Sequence, residues 1–382
     1  MVRAGLGVST RDDARAAAEE AVGAALTGGL QPDGALLLAT PDHGPDMKTL
    51  LGAACDALGT RTVVGAQVHG LLAAGQELEG GRAVGVLAIE GLELHGFLLE
   101  TGPDDSAGAA EEIALHLGGA ARSEDLVVLL PDPRSVDLER LLEGARRELG
   151  PAQVVGAGAA LLGSDPPLQW CGRDVASNAV AALVLRGARP PRVGVTQACR
   201  PGSPLLTVTR TQGHWILELD GRPALDVYRE VARGPLAEDL RRAAAFVLAA
   251  LPRDPRDPLA PGGYVVRNIA GFAIEERALA IPEALGVGDQ VAFVRRDPAS
   301  AREDLKAMLA SLREPRPAFG LYFDCCARGA PFFGVSGLEA AYLEESFGGV
   351  PLLGLFGSCE IGPVASRPEL LTYTGVLALV DS

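Results

Sequence analysis

Two short segments near the C-terminus hold the residue types best suited to chemistry: Asp324-Cys-Cys-Ala-Arg-Gly-Ala330 and Gly357-Ser-Cys-Glu-Ile-Gly362. Together they offer three thiols (Cys325, Cys326 and Cys359), the carboxylate of Glu360 and the guanidinium of Arg328. A guanidinium presents a planar fork of donors that matches a carboxylate. Arg328 is therefore placed to hold the acid group of a small polar ligand and Glu360 its amine, with backbone N–H groups near Gly329 and Gly362 completing the site. A second chemistry makes Cys326 a thiolate nucleophile or a redox-sensing cysteine. Arg328, two residues on, would lower its pKa, and Glu360 would raise it. That route lacks a base, because no histidine lies between His214 and Ser382. The bland alternative is packing: cysteine is small, apolar and often buried, glycines serve tight turns, and Glu360 caps a turn or pairs with Arg328. Binding is expected over catalysis, and no catalytic residue is assigned.

Composition removes several function classes. The 382 residues carry 34 Lys+Arg against 49 Asp+Glu, a net charge of −15. A nucleic-acid or anionic-membrane surface needs a clustered basic footprint, which this balance argues against. With only Lys48 and Lys306 as lysines, no P-loop exists. H-E-x-x-H, G-x-S-x-G and C-x-x-C are also missing, so no metal site is expected. No apolar run approaches the ~18 residues of a membrane helix, and MVRAGLGVSTRDD has no apolar core of a secretory signal. Six cysteines in a chain this long read as reduced thiols in a cytoplasmic protein.

The elements that position these residues follow from an internal repeat. Val63-Val-Gly-Ala66 recurs as Val154-Val-Gly-Ala157, and Leu352-Leu-Gly-Leu355 is a looser copy. Ahead of the first two lie matching stripes: Met47, Leu50, Leu51, Ala54, Leu58, and Leu138, Leu141, Leu142, Ala145, Leu149. Their offsets of 0, 3, 4, 7 and 11 mark one face of a helix. Short apolar runs before each helix (Ala35–Ala39, Leu126–Leu130, Phe319–Phe323) suit strands buried on both faces. A strand–helix–strand crossover is right-handed, so the two strands run parallel and their carboxyl-end loops open on one ligand-binding edge. The closing strands, Gly85–Ile89, Ala179–Leu185 and Gly375–Leu379, are expected to pair antiparallel with the glycine strands.

The predicted fold is α/β, with mixed sheets flanked by helices and β-α-β-α-β-β repeats at 2–90, 92–187 and 289–381. Two domains are expected: residues 1–188 with two repeats, and 189–382 with the third. The second would add a hairpin at Leu205–Thr209 and Trp215–Leu219, a helix from Ala224 to Leu251 broken near Gly234-Pro235, and strands at Tyr264–Ile269 and Val291–Arg295.

An ordered series of short motifs resembles the FIST family over nearly the whole chain. The first half carries Gly5-Leu-Gly-Val-Ser-Thr10, an Ala-rich helix with Glu19-Glu20, and Val63-Val-Gly-Ala66, like the FIST N domain. The second half carries Leu217-Glu-Leu-Asp-Gly-Arg-Pro-Ala-Leu225, Cys326-Ala-Arg-Gly329, Glu360-Ile-Gly362 and Leu371-Thr-Tyr-Thr374, like the FIST C domain. The resemblance implies a sensory module for a small ligand, with amino acids the suggested class. It also implies output through a separate signalling partner, since the sequence holds no kinase, cyclase, chemotaxis or F-box segment. No cofactor is expected. Some members are similar to haem-based nitric-oxide sensors, and in that alternative His69, in Gln67-Val-His-Gly70, is the axial-ligand candidate.

Overall fold

Gly34–Ala39, Asp125–Pro131 and Phe319–Cys325 are strands buried along their whole length, as apolar runs require where both faces of a sheet are covered. The computed structural model describes residues 1–119, 121–187 and 189–382. Each of these strands lies inside its own six-stranded sheet. Each runs parallel to the glycine strand that follows it: Val63–Ala66, Gln153–Ala157 and Leu352–Gly357. The connecting helices are Met47–Leu58, Leu138–Glu148 and Leu338–Phe347. All five residues of the first stripe are buried, as are Leu141, Leu142, Ala145 and Leu149 of the second. Leu138 is partly buried against the same cluster.

The closing strands depart from expectation. Val84–Glu90, Ala179–Arg186 and Thr374–Val380 pair antiparallel with the inner strand, not with the glycine strand. An edge strand flanks each of them: Arg3–Ser9, Glu93–Glu100 and Arg192–Gln197. The place beside each glycine strand is taken by a hairpin from a different repeat. Gln169–Cys171 and Asp174–Ala176 extend the first sheet, Glu360–Val364 and Arg367–Leu371 the second, and Gly70–Ala73 and Gln76–Glu79 the third. Each set of elements gives a hairpin to one neighbour and receives one from the other, which closes a ring of three. The exchange covers backbone edges that would otherwise stay unpaired.

The third set begins before 289. Its edge strand is Arg192–Gln197, and its first helix, Pro298–Ser311, comes a hundred residues later. By contacts the chain divides into residues 1–195 with 306–382, and residues 196–305. The split expected at 188/189 is thus not where compact units separate, because the exchanged hairpins bind the third set to the first two. Residue 188 itself lies outside the described residues.

Residues 196–305 build a nine-stranded sheet of their own. The expected hairpin is present as Leu206–Gln212 and Trp215–Leu219. The helix expected to reach Leu251 ends at Ala232, with short helices at Pro235–Glu238 and Leu240–Ala244. Val247–Pro252 is instead a strand between Tyr264–Arg267 and Gln290–Arg296. A short apolar run does not discriminate between helix and strand by periodicity alone.

Candidate functional site

The carboxyl ends of the parallel strand pairs converge on one edge, and backbone bonds tie their loops together. His69 N–H donates to Phe356 O at 2.9 Å and Ala160 N–H to Gln67 O at 2.9 Å. Gly158 N–H donates to Cys359 O and Ser358 N–H to Gly158 O, both at 3.0 Å. Open α/β sheets bind ligands outside this edge.

Strand register makes Leu71, Gln169 and Glu360 counterparts. Each opposes the residue that follows the strand glycine, respectively Leu355, Ala66 and Ala157. The scaffold therefore accepts an apolar side chain at this position, and a titratable one occurs only in the third set. Glu360 is fully buried. It accepts from Thr374 N–H at 3.2 Å and Thr374 Oγ1–H at 2.7 Å through Oε2, whereas Oε1 has no hydrogen-bond partner. Burial, and after it the Cys325 thiol, pushes the Glu360 pKa well above the usual carboxylate range. Both amide atoms of its counterpart Gln169 are likewise buried without partners.

The three thiols gather beside Glu360. Cys325 ends its strand and is buried; Cys326, in the turn that follows, is exposed and anchored by its N–H on Gly357 O at 2.8 Å. A hydrogen bond between the two thiols raises the Cys325 pKa and lowers that of Cys326. Partial burial, Glu360, Cys359 and Asp324 oppose ionisation of Cys326. Burial, with Glu360 beside it, pushes Cys359 up to about 12.

Arg328 does not meet Glu360. It is fully buried, with Nε 2.9 Å from Asp324 Oδ1 and Nη2 bonded to Glu339 Oε1. Tyr322 donates to the same Glu339 oxygen at 3.0 Å. Burial and the nearby Glu339 push Asp324 well above its usual range; burial also opposes ionisation of Glu339, but Arg328 overcomes it and holds Glu339 low. The cluster thus reads as one arginine, one carboxylate and one carboxylic acid, electrically neutral in sum. Arg328 Nη1 and Asp324 Oδ2 have no partner, but the fork itself is committed to internal acids. Gly329 has φ +59°, and a Cβ there would lie 2.7 Å from Glu79 Oε2. Glu79, from the first set's hairpin, accepts from Ala330 N–H at 3.1 Å, so a protein carboxylate occupies this loop. Gly362 lies within a paired strand, opposite Glu369. A Cβ there would come within 2.9 Å of Val376.

His69 is half-buried, and burial lowers its pKa. Its Nε2 accepts from Leu161 N–H at 3.1 Å. That lone pair is engaged, so His69 as placed does not fit an axial haem ligand.

The sequence reading grouped all seven residues in one site; the structure keeps Cys325, Cys326, Cys359 and Glu360 near one another and commits Arg328, Gly329 and Gly362 elsewhere. The sequence reading missed Tyr322, Glu339, Thr374 and Gln169. Leu338–Phe347 lacks the apolar stripe of the other two crossover helices, which is a signal for Glu339, because the helix there turns a carboxylate inward. Among the described residues, no group of three or more His, Cys, Asp or Glu could hold a metal ion. No helix among them is long and apolar enough to cross a membrane.

The chain is similar over 390 residues to the uncharacterized protein Rv0628c of Mycobacterium tuberculosis, at 33% identity covering 99% of each chain. It is also similar to the uncharacterized protein Mb0898c of Mycobacterium bovis, at 34% identity over 389 residues, covering 99% of this chain and 98% of that one. The sequence model of the FIST N domain matches residues 33–222, and that of the FIST C domain residues 224–363. FIST domains are in general sensory, signal-transduction domains. With both domains matched in order across most of its length, the chain belongs to the FIST family.

Proposed function

We propose that this chain is a non-catalytic intracellular sensor that binds a small polar metabolite carrying an amine, such as an amino acid, at the carboxyl edge where Glu360 of the second sheet meets the strand ends of the third. The observation that carries the reading is Glu360: a fully buried carboxyl with one oxygen unpartnered, at a position where the first set's counterpart is Leu71. An orphaned buried acceptor costs about 1–3 kcal/mol unless something pairs with it. An amine entering beside Glu360 would recover that cost and pull its proton away. Cys325, Cys326 and Cys359 line the approach, and the neutral Arg328 cluster sets the loop from beneath. Since Arg328 is committed to Asp324 and Glu339, backbone N–H groups of the converging loops take over the ligand's acid group. Output passes to a separate cytoplasmic signalling protein, with neither nucleic acid nor membrane involved.

A thermal-shift screen of amino acids, related amines and simple carboxylic acids tests this. Bound ligand at a hundred times its Kd adds about 2.7 kcal/mol, a shift of several degrees. At least one amine-bearing compound should raise the melting temperature of the wild type and not of Glu360→Leu, which imitates the Leu71 position. If no compound shifts the wild type, or the variant responds equally, the assignment fails.

A further inference from the structure

Adjacent side chains of a strand point to opposite faces, so neighbouring cysteines within a strand keep their thiols apart. Cys325 and Cys326 escape that rule because the chain leaves the strand between them, so that each thiol bears on the ionisation of the other. They are also unequal: Cys325 is only 3% exposed, whereas Cys326 alone among the six cysteines is exposed. The counterparts of Cys325 in the other sets, where the inner strand ends, are Thr40 and Asp132. Thr40 Oγ1 accepts from Ala83 N–H at 2.9 Å, and Asp132 Oδ2 from Asn178 N–H at 3.3 Å. A hydroxyl and a carboxylate thus fill the same place, so the scaffold does not require a thiol there.

We propose that Cys325 and Cys326 form a thiol–disulfide exchange site for low-molecular-weight disulfides, with Cys326 the attacking and Cys325 the resolving sulfur. The Cys326 thiolate, its proton released to solvent, attacks one sulfur of a small disulfide RSSR. An S–S bond forms to Cys326, and RS⁻ leaves and takes up a proton. Cys325 then attacks Cys326 Sγ, expelling the second RS⁻, which takes the proton Cys325 gives up. Two protein thiols are oxidised to one Cys325–Cys326 disulfide, and RSSR is reduced to two RSH. A buried resolving thiol adjacent to an exposed one makes the mixed disulfide short-lived. The site stands independently of the amine-binding reading, since it uses neither Glu360 as a ligand nor any bound metabolite.

Oxidised glutathione is the probe. The full chain is incubated with it, quenched in acid and measured by intact mass spectrometry, followed by peptide mapping without reductant. The wild type should lose two mass units with no lasting adduct, the new link mapping to the peptide that holds residues 325 and 326. Cys325→Ser should accumulate a glutathione adduct on Cys326, and Cys326→Ser should show neither product on these two residues. Circular dichroism confirms that both variants are folded. A stable adduct on the wild type at the level seen in Cys325→Ser, or a link from Cys326 to Cys359, overturns the proposal.

Discussion

Replacing Glu360 by glutamine should change how stability depends on pH. In the folded chain the Glu360 carboxyl is fully buried and its pKa is raised, first by burial and then by Cys325. In the unfolded chain it ionises in the ordinary carboxylate range. Above that range the native state binds one proton more than the unfolded state. Stability therefore falls as pH rises, until the folded pKa is reached. The slope is about 1.4 kcal/mol per pH unit for one group. Above the ordinary carboxylate range, and for as long as Glu360 stays protonated in the folded chain, the wild type should lose stability at up to that slope relative to Glu360→Gln, whose amide keeps an acceptor for Thr374 and does not titrate. Asp324 is also raised, chiefly by burial and Glu339, which both chains share. The chain has two tryptophans, one in each compact unit. A Trp215→Phe background leaves the fully buried Trp170 to report urea unfolding of the unit that holds Glu360. Parallel stability–pH curves for the two chains would refute a protonated Glu360.

Arg328→Met should cost about 3–5 kcal/mol at pH 7.5, because Asp324 and Glu339 would remain buried without their cation. The loss should shrink at lower pH as Glu339, no longer held low by the arginine, takes a proton, which the same unfolding curves would read. Gly65→Ala should destabilise by at least the 1–3 kcal/mol typical of overpacking, since its Cβ would sit 1.6 Å from Leu37 O and 2.7 Å from Trp170 Nε1. Gly59→Ala, with φ +70° and open space around it, should cost only about 1 kcal/mol; comparing the two melting temperatures checks both. Glu77 accepts from the N–H groups of Gly337, Glu339 and Ala340 at the start of Leu338–Phe347. Glu77→Gln should cost about 1 kcal/mol and speed amide exchange in that helix.

Periodicity and apolar runs made the inner strands, the crossover helices and the glycine strands legible, because burial on fixed faces writes itself into residue type. Pairing partners were not legible. Nothing local in Gly70–Ala73 or Glu360–Val364 says that the partner strand belongs to another repeat; only closure of all three sheets decides it. Val247–Leu251 was misread for a similar reason, since its neighbours Tyr264–Arg267 and Gln290–Arg296 make it a strand. At the site, the reading of loops at strand ends placed Cys325, Cys326, Cys359 and Glu360 near one another, because such loops open on one edge. Arg328 went astray because its partner Glu339 sits on a helix eleven residues on, where a carboxylate turns inward from a position that no local pattern pairs with the arginine. Gln169 stands at the counterpart of Glu360 through register alone, a relation that no spacing in the sequence displays.

Proton release on binding measures the role of Glu360 most directly. The amine-bearing compound that most raises the melting temperature is titrated into the wild type at pH 7 in two buffers of different ionisation enthalpy. If the amine pairs with Glu360 as it ionises, close to one proton should pass to the buffer for each ligand bound, and none with Glu360→Gln. Binding with the same heat in both buffers, or the same proton release from the variant, would contradict a sensor that reads its ligand through Glu360.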